Sequence, residues 1–372
     1  MDIDHLDEQF PLMPLDDHLV HQTPDPMRVA YTTDPRFFDR HLTIFHDQTG
    51  DLIISTGGTF YPNLDTAEAY TIITYKGQQT SIRAYRPIGA DRTDLHNGPI
   101  RPTILTGLRN WRHQLVENEW GITYDLNWID THRQIYNAAY GSIEKSIPRG
   151  SQRHVTAGFE GFGTFEGWVQ IGGDRIEIGF DQGRGMRDRH WGIGRGVGGP
   201  RYQPDGRTPK AGWIGGNWIV LKDLAIWGRL VLFELGDERP RYGKVLDVKR
   251  RLRFEEDTHI FKEGIIDYTL STGQTKTVHF ERLGNQTSYM KCALYGGSPD
   301  GSRFQGAFVE APFVEGDQYD LNDPSVRAHL SGLNEHHCRI TCDGEVTTGI
   351  LQPLEPDAYE ACKSGVPGWA LL

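Results

Sequence analysis

Short alternations of apolar and polar residues, bounded by glycine and aspartate turns, run through most of the chain and predict strands rather than helices. Leu42-Thr43-Ile44-Phe45 and Leu52-Ile53-Ile54 flank the turn Asp47 to Asp51. Tyr70 to Tyr75 and Ser81 to Tyr85 flank Lys76 to Gln79, which predicts a second hairpin. The pattern continues in Ile122 to Trp128, in Phe165 to Ile171 and Arg175 to Ile178 about a Gly-Gly-Asp turn, and in Trp218 to Leu221 and Leu230 to Phe233. From about residue 240 it restarts, with Val245 to Val248, Ile265 to Tyr268, Thr277 to Phe280 and Phe304 to Val309. One helix is conceivable, around Asn127 to Gly141, but that stretch lacks a 3.6-residue stripe. The expectation is an all-β chain of two consecutive antiparallel barrels or strongly curved sheets. An irregular arm rich in Asp, His and Pro occupies 1–40, the first domain 41–240 and the second 241–372.

Composition narrows the partners. At 372 residues the chain suits two domains or one large β-domain, and its 44 glycines with 11% aromatics fit many short strands. A net charge of −11 argues against nucleic acid and anionic membrane, which need a basic footprint, and favours an uncharged or hydrophobic small ligand. No run approaches the roughly 18 apolar residues of a membrane span. The acidic start Met1-Asp2-Ile3-Asp4-His5 has no apolar leader, and Cys292, Cys338, Cys342 and Cys362 are too few for a disulfide scaffold. A cytoplasmic protein with reduced thiols is expected.

The most telling stretch is Gly185-Met186-Arg187-Asp188-Arg189-His190-Trp191-Gly192. In a strand, Arg187, Arg189 and Trp191 point one way and Asp188 and His190 the other. The plain reading is a structural ion pair with Trp191 as core, and it is as common as a functional one. Trp168, the segment Trp213 to Trp218, and Trp227 tip the balance toward a ligand cavity rich in tryptophan and arginine. Tyr85, Tyr124, Asp125, His154 and Glu160 are further polar residues that spacing does not select. Other motifs are weaker. Gly194 to Gly199 fits G-x-G-x-x-G, but Pro200 follows where a helix would have to begin. Glu335-His336-His337-Cys338 with Cys342 offers metal ligands, yet adjacent histidines on a strand face apart and a second ligand pair is missing. No metal and no cofactor are expected.

The order Glu166-Gly167, Arg187-Asp188-x-x-Trp191-Gly192 and Gly216-Asn217-Trp218 resembles the carotenoid 1,2-hydratase (hydroxyneurosporene synthase) and AttH-like superfamily. That resemblance covers about residues 150–240 and implies two lipocalin-like β-barrels. It also implies a hydrophobic tunnel in which a carboxylic acid protonates an alkene and aromatic residues shelter the cation. The family pattern places histidine where Arg189 stands and an aspartate where Asn217 stands. Arginine cannot serve as a general base and asparagine cannot donate a proton as an acid, so simple alkene hydration is not expected. The expectation is a cofactor-independent lyase or isomerase on a hydrophobic oxygenated small molecule, such as a terpenoid, steroid or aromatic compound. Asp188, His190 and Arg189 would be catalytic, and Arg187, Trp191, Asn217, Trp218 and Trp168 would bind substrate. The alternative is a non-catalytic lipocalin-like carrier of a lipophilic ligand. The enzymatic reading predicts that Arg187, Asp188, Arg189, Trp191, Asn217 and Trp218 share one cavity.

Overall fold

The computed structural model describes residues 24–89, 91–136, 155–194, 217–228, 230–235, 241–295 and 297–353, residues 19 and 197, and the short pieces 148–149, 152–153 and 369–371. The strands in the N-terminal half are β1 (Phe37–Asp47), β2 (Leu52–Tyr61), β3 (Thr66–Tyr75), β4 (Gln78–Pro87), β5 (Ile100–Thr106), β6 (Asn110–Leu115), β7 (Ile122–Asp130), β8 (Ile135–Tyr136), β9 (Pro148–Arg149) and β10 (Gln152–Arg153). They are followed by β11 (Val155–Ile171), β12 (Asp174–Ile178) and β13 (Gly183–Ile193). Next come β14 (Asn217–Val220), β15 (Leu224–Trp227), β16 (Leu230–Phe233), β17 (Arg241–Phe254), β18 (Phe261–Leu270), β19 (Thr275–Tyr289), β20 (Phe313–Asp320), β21 (Asn334–Cys342), β22 (Glu345–Leu351) and β23 (Trp369–Leu371).

Two sheets account for nearly all of these. The first runs β20-β4-β3-β2-β1-β13-β11-β7-β6-β5, with β12 and β8 also on β11. It curls on itself, so that Phe45, Ile54 and Ile73 on one side meet Trp111, Leu126, Trp128 and Phe165 on the other in a shared core. The second runs β16-β15-β14-β22-β21-β19-β18-β17 and closes through a β16–β17 pairing, which makes an eight-stranded barrel around Ile219, Leu252, Tyr268 and Ile340. The all-β expectation holds: a curled half-barrel sheet and a closed barrel, consistent with two lipocalin-like domains. A third apolar cluster lies between them, where Leu42, Ile44, Phe162 and Met186 of the first sheet meet Trp218, Leu232, Met290 and Ile350.

Local sequence explains most of the hairpins. Lys76 (φ 49°) and Gly77 (φ 77°) both adopt the left-handed conformation, as a tight two-residue turn between β3 and β4 demands. The Asp47 carboxylate caps the β1–β2 turn by accepting from the backbone N–H groups of Gly50, Asp51 and Leu52.

Phe304 to Val309 form no strand, and the structure departs from the sequence reading at three further points. Residues 127–136 are not helical. They finish β7 and form β8, because Ile122, Tyr124, Leu126, Trp128 and Asp130 are buried at period two and packing follows that period. A helix not foreseen, α1 (Pro324–Leu330), is started by Asp323, whose side chain accepts from the Ser325 N–H. Sheet membership also crosses the boundary expected near 240 in both directions. Strands β14 to β16 belong to the barrel, whereas β20 pairs with β4 in the first sheet. His154, Trp213, Cys362 and most of the Gly194–Lys210 loop, with its glycine motif, lie outside the described residues. No helix is long and apolar enough to cross a membrane among the described residues.

Candidate functional site

Strand β13 sits in the middle of the first sheet, between β1 and β11, and its two faces look into different compartments. Met186 belongs to the apolar cluster between the domains, and Asp188 and His190, at even spacing from it, turn the same way. Arg187 turns the other way, into the curl. There it bonds both oxygens of Asp130 at 2.6–2.9 Å and lies 5.6 Å from the Trp111 ring and 5.1 Å from Phe159. Both charged partners are at most 2% exposed.

Between the domains, strand register builds a row of three titratable groups. Glu160 on β11 is the direct cross-strand partner of Asp188, and His190 follows Asp188 by one pleat. The His190 ring lies between the carboxyls, with Nε2 3.2 Å from Glu160 Oε1 and Nδ1 3.3 Å from Asp188 Oδ2. Trp218, contributed by the barrel, donates its indole N–H to the other Glu160 oxygen at 3.2 Å. Arg40 on β1 is the partner of His190 across the strand. Its guanidinium lies 3.8 Å from Asp188 Oδ2, donates to the Tyr295 hydroxyl at 2.6 Å and packs over the Phe38 and Tyr295 rings. Glu335, from β21, is fully buried and accepts from the Gln352 amide.

Burial dominates the electrostatics. It pushes the Glu160 carboxyl up to about 7, reinforced by the Asp188 charge and opposed by His190 and Trp218. Burial likewise lifts Glu335 to about 8, against its Gln352 hydrogen bond and with Asp188 and Glu160 adding to the rise. Burial also works against the Arg40 charge, but the Tyr295, Asp188, Tyr70 and Tyr61 oxygens together outweigh it and hold the guanidinium protonated. Burial first, then the neighbouring Tyr295 hydroxyl, keeps the Tyr70 phenol un-ionised.

Glu160, Asp188 and His190 form the one group among the described residues whose donor atoms, all within 4.8 Å of one another, are close enough for a shared metal ion. Each carboxylate, however, addresses a different ring nitrogen of one imidazole. That arrangement suits passage of a proton through the ring better than convergence of three donors on one ion. The ligand-rich run on β21 does not converge either. His336 packs on Phe261 in the barrel while His337 packs on His46 of the first sheet.

The expected single cavity is therefore overturned, because strand alternation divides its members. Asp188, His190 and Trp218 come together; Arg187, Arg189 and Trp191 lie on the opposite face of β13. Asn217 falls with Ile219 on the barrel-interior side of β14, opposite to Trp218. Trp168 stands far along β11, half-buried beneath the Arg175 guanidinium at 4.3 Å. Glu160, Arg40, Tyr295 and Glu335 complete the cluster from four separate segments. Only for Glu160 does the sequence carry a local signal, the glycines of Gly158-Phe159-Glu160-Gly161-Phe162-Gly163.

Gly158 is required by that packing. A Cβ there would lie 2.1 Å from His190 Cδ2 and 2.4 Å from the Arg189 carbonyl oxygen. A Gly158→Ala variant is expected to lose about 1–3 kcal/mol of stability, read by urea unfolding, and to displace the His190 ring. An imidazole NMR signal for His190 identical to wild type would show that this contact does not hold it.

Comparison with known proteins adds the family but little else. Among solved structures the chain is similar to kievitone hydratase from Nectria haematococca, at 9% identity over 88% of this chain and 93% of that chain, with a TM-score of 0.46. That likeness is too loose to bear on the site. No curated protein matches the sequence. A family model described as a family of unknown function (DUF8625) matches residues 12–234, which include β1, β11 and β13, and the chain belongs to that family.

Proposed function

We propose that this protein is a cofactor-independent lyase or isomerase, of hydratase, dehydratase or cyclase type, acting on a hydrophobic oxygenated small molecule. The observation that carries this reading is the buried carboxyl–imidazole–carboxyl row Glu160–His190–Asp188 between the two β-domains. A carboxyl brought up to about 7 both gives and takes a proton near neutral pH, which is what general acid–base work at carbon requires. In this reading Glu160 exchanges the proton with substrate, and His190 passes it on. Asp188 fixes the ring from Nδ1 and stabilises it when charged. Arg40 with the Tyr295 and Tyr70 hydroxyls supplies donors for a substrate oxygen that gains negative charge. The Trp218 ring offers an aromatic wall for any cationic carbon. Asp188 and His190 thus keep their expected catalytic roles, Glu160 joins them, and Arg189 falls to the other compartment. Terpenoid, steroid and aromatic compounds fit the apolar surroundings of the cluster.

The test is proton transfer itself. The protein is incubated in deuterium oxide with terpenoid, steroid and aromatic alkenes, alcohols and ketones, and deuterium at carbon is followed by mass spectrometry. At least one class is expected to incorporate deuterium, with the rate lowered about 10²–10⁴-fold in Glu160→Gln and Asp188→Asn. Retention of a compound without any exchange would overturn the enzymatic reading in favour of a carrier.

A further inference from the structure

The face of β13 that the acid–base reading leaves unused carries its own arrangement of charge. Asp39, His41 and Thr43 on β1 share the inner side of the curl with Arg187 and Arg189. We propose that the mouth of this curled sheet is a second ligand site, which takes the carboxylate or sulfonate group of an aromatic organic acid between Arg92 and Arg189.

Two guanidiniums share one carboxylate there. Arg189 donates to Asp39 Oδ1 at 2.8 Å, while Arg92 reaches Asp39 Oδ2 only at 3.6 Å. The Arg92 Nε is buried without a hydrogen-bond partner, an arrangement that costs free energy unless a further acceptor arrives. Burial lowers the Arg92 pKa, the Asp39 carboxylate opposes that fall without cancelling it, and the neighbouring Arg189 charge adds to it. The carboxylates in its own segment are committed elsewhere: Asp91 to Thr93, and Asp94 to the His96 N–H and to Arg86.

Deeper in the curl the surroundings are neutral and aromatic. Arg187 and Asp130 cancel each other. Burial holds His41 and His113 uncharged, and the His41 Nδ1 has no hydrogen-bond partner although the residue is only 7% exposed. Trp111 stacks on His113 at 5.8 Å and 15°. Arg92 and Arg189 thus carry one positive charge more than the Asp39 carboxylate they share, in a chain of net charge −11, and the His41, Trp111 and His113 rings pack against one another deeper on the same side of the sheet. The Arg92, Arg189 and Asp39 side chains are 16%, 23% and 28% exposed, so the charge is reachable from solvent. An anionic head placed against both guanidiniums supplies the acceptor that the Arg92 Nε lacks, and its ring extends toward the aromatic side of the curl.

A matched pair of fluorescent probes tests this without knowledge of the natural ligand. 8-Anilino-1-naphthalenesulfonate carries the anion; N-phenyl-1-naphthylamine has the same rings without it. The full-length protein is expected to bind the sulfonate more tightly, to lose that preference in high salt, and to release the sulfonate to benzoate. Arg189→Gln and Arg92→Gln are each expected to weaken the sulfonate about tenfold while leaving the neutral probe unchanged, which also verifies the fold. Arg189→Lys, which keeps the charge but not the planar fork, is expected to fall between. Equal affinity of the wild-type protein for the two probes would overturn the proposal. So would a preference that survives in both glutamine variants. The acid–base reading is untouched by either outcome, because its residues lie on the other face of β13.

Discussion

An Asp130→Ala variant is expected to lose about 3–5 kcal/mol of folding stability, because it strands the Arg187 guanidinium inside the first sheet. Arg187 makes three hydrogen-bond contacts to the Asp130 carboxylate, and neither side chain exceeds 2% exposure. Removing the carboxylate leaves a permanently charged group with no water and no counter-ion, since the guanidinium cannot shed its proton to escape. Burial raises the Asp130 pKa and Arg187 pulls it back, which is how the two groups depend on each other. Gly161 shows how closely the backbone fits this pair: a Cβ there would stand 2.6 Å from Asp130 Oδ1. The pair itself is not expected to be worth what its rupture costs. Replacing both members, with Asp130→Leu and Arg187→Met together, is expected to recover most of the loss, because desolvating two charges nearly offsets their attraction. Urea unfolding of the two single variants and the double variant closes the cycle. A loss below about 1 kcal/mol in Asp130→Ala would mean that water reaches the guanidinium and that this interior is wetter than its packing implies.

The same strand shows how far the sequence could be read. The alternation within Arg187 to Trp191 sorts the residues onto their true faces, because a side-chain period of two is a local property of any strand. The inference that all of them serve one pocket fails because a central strand has two buried faces. One meets the interior of the curl and the other meets a second domain. The composition of β13 is compatible with either face being functional, and the partners decide. Those partners come from afar: Glu160 through cross-strand register, Trp218 and Glu335 from the barrel, and Tyr295 from the segment after β19. Register and domain docking depend on the whole chain, so no local spacing encodes them. The hairpins read correctly for the opposite reason, since a turn such as Asp47 to Asp51 carries its own hydrogen-bonding residues. Strands β14 to β16 look like a continuation of the first meander because they follow it in sequence. Pairing of β14 with β22 and closure of the barrel through β16 and β17 assign them to the second sheet.

Glu335→Gln is expected to leave stability unchanged near about pH 4, below the ordinary glutamate pKa, and to raise it by a few kcal/mol near about pH 9, at about 1.4 kcal/mol per unit of pKa shift. Glu335, Glu160 and Glu68 are lifted by burial from 4.5 to about 8, about 7 and about 7. Each binds its proton more tightly in the fold than in the unfolded chain. Their contribution is therefore fully present below the ordinary glutamate pKa and is lost as pH rises through the folded values. Four buried histidines act in the opposite sense. Burial lowers His46 and His113 from 6.5 to about 3, and lowers His41 and His337 well below 6.5. Their contribution is present above 6.5 and lost as pH falls below it. Between 4.5 and 6.5 the four histidine protons taken up by the unfolded chain nearly balance the three glutamate protons held by the native one. Above 6.5 the glutamates act alone and stability declines toward about pH 8. Glutamine at 335 keeps the oxygen that accepts from Gln352 and removes the ionisation, so the decline should become shallower. A variant equally destabilised at both pH values would show instead that Glu335 is ionised in the fold and paired with Arg40. The neutral form is the one that lets this site exist. Glu160, Asp188 and Glu335 act on one another, and the Arg40 guanidinium serves Asp188 and Glu335, which could not both be neutralised by it. Keeping Glu335 protonated at neutral pH leaves Arg40 to Asp188 and leaves Glu160 free to titrate where proton transfer needs it.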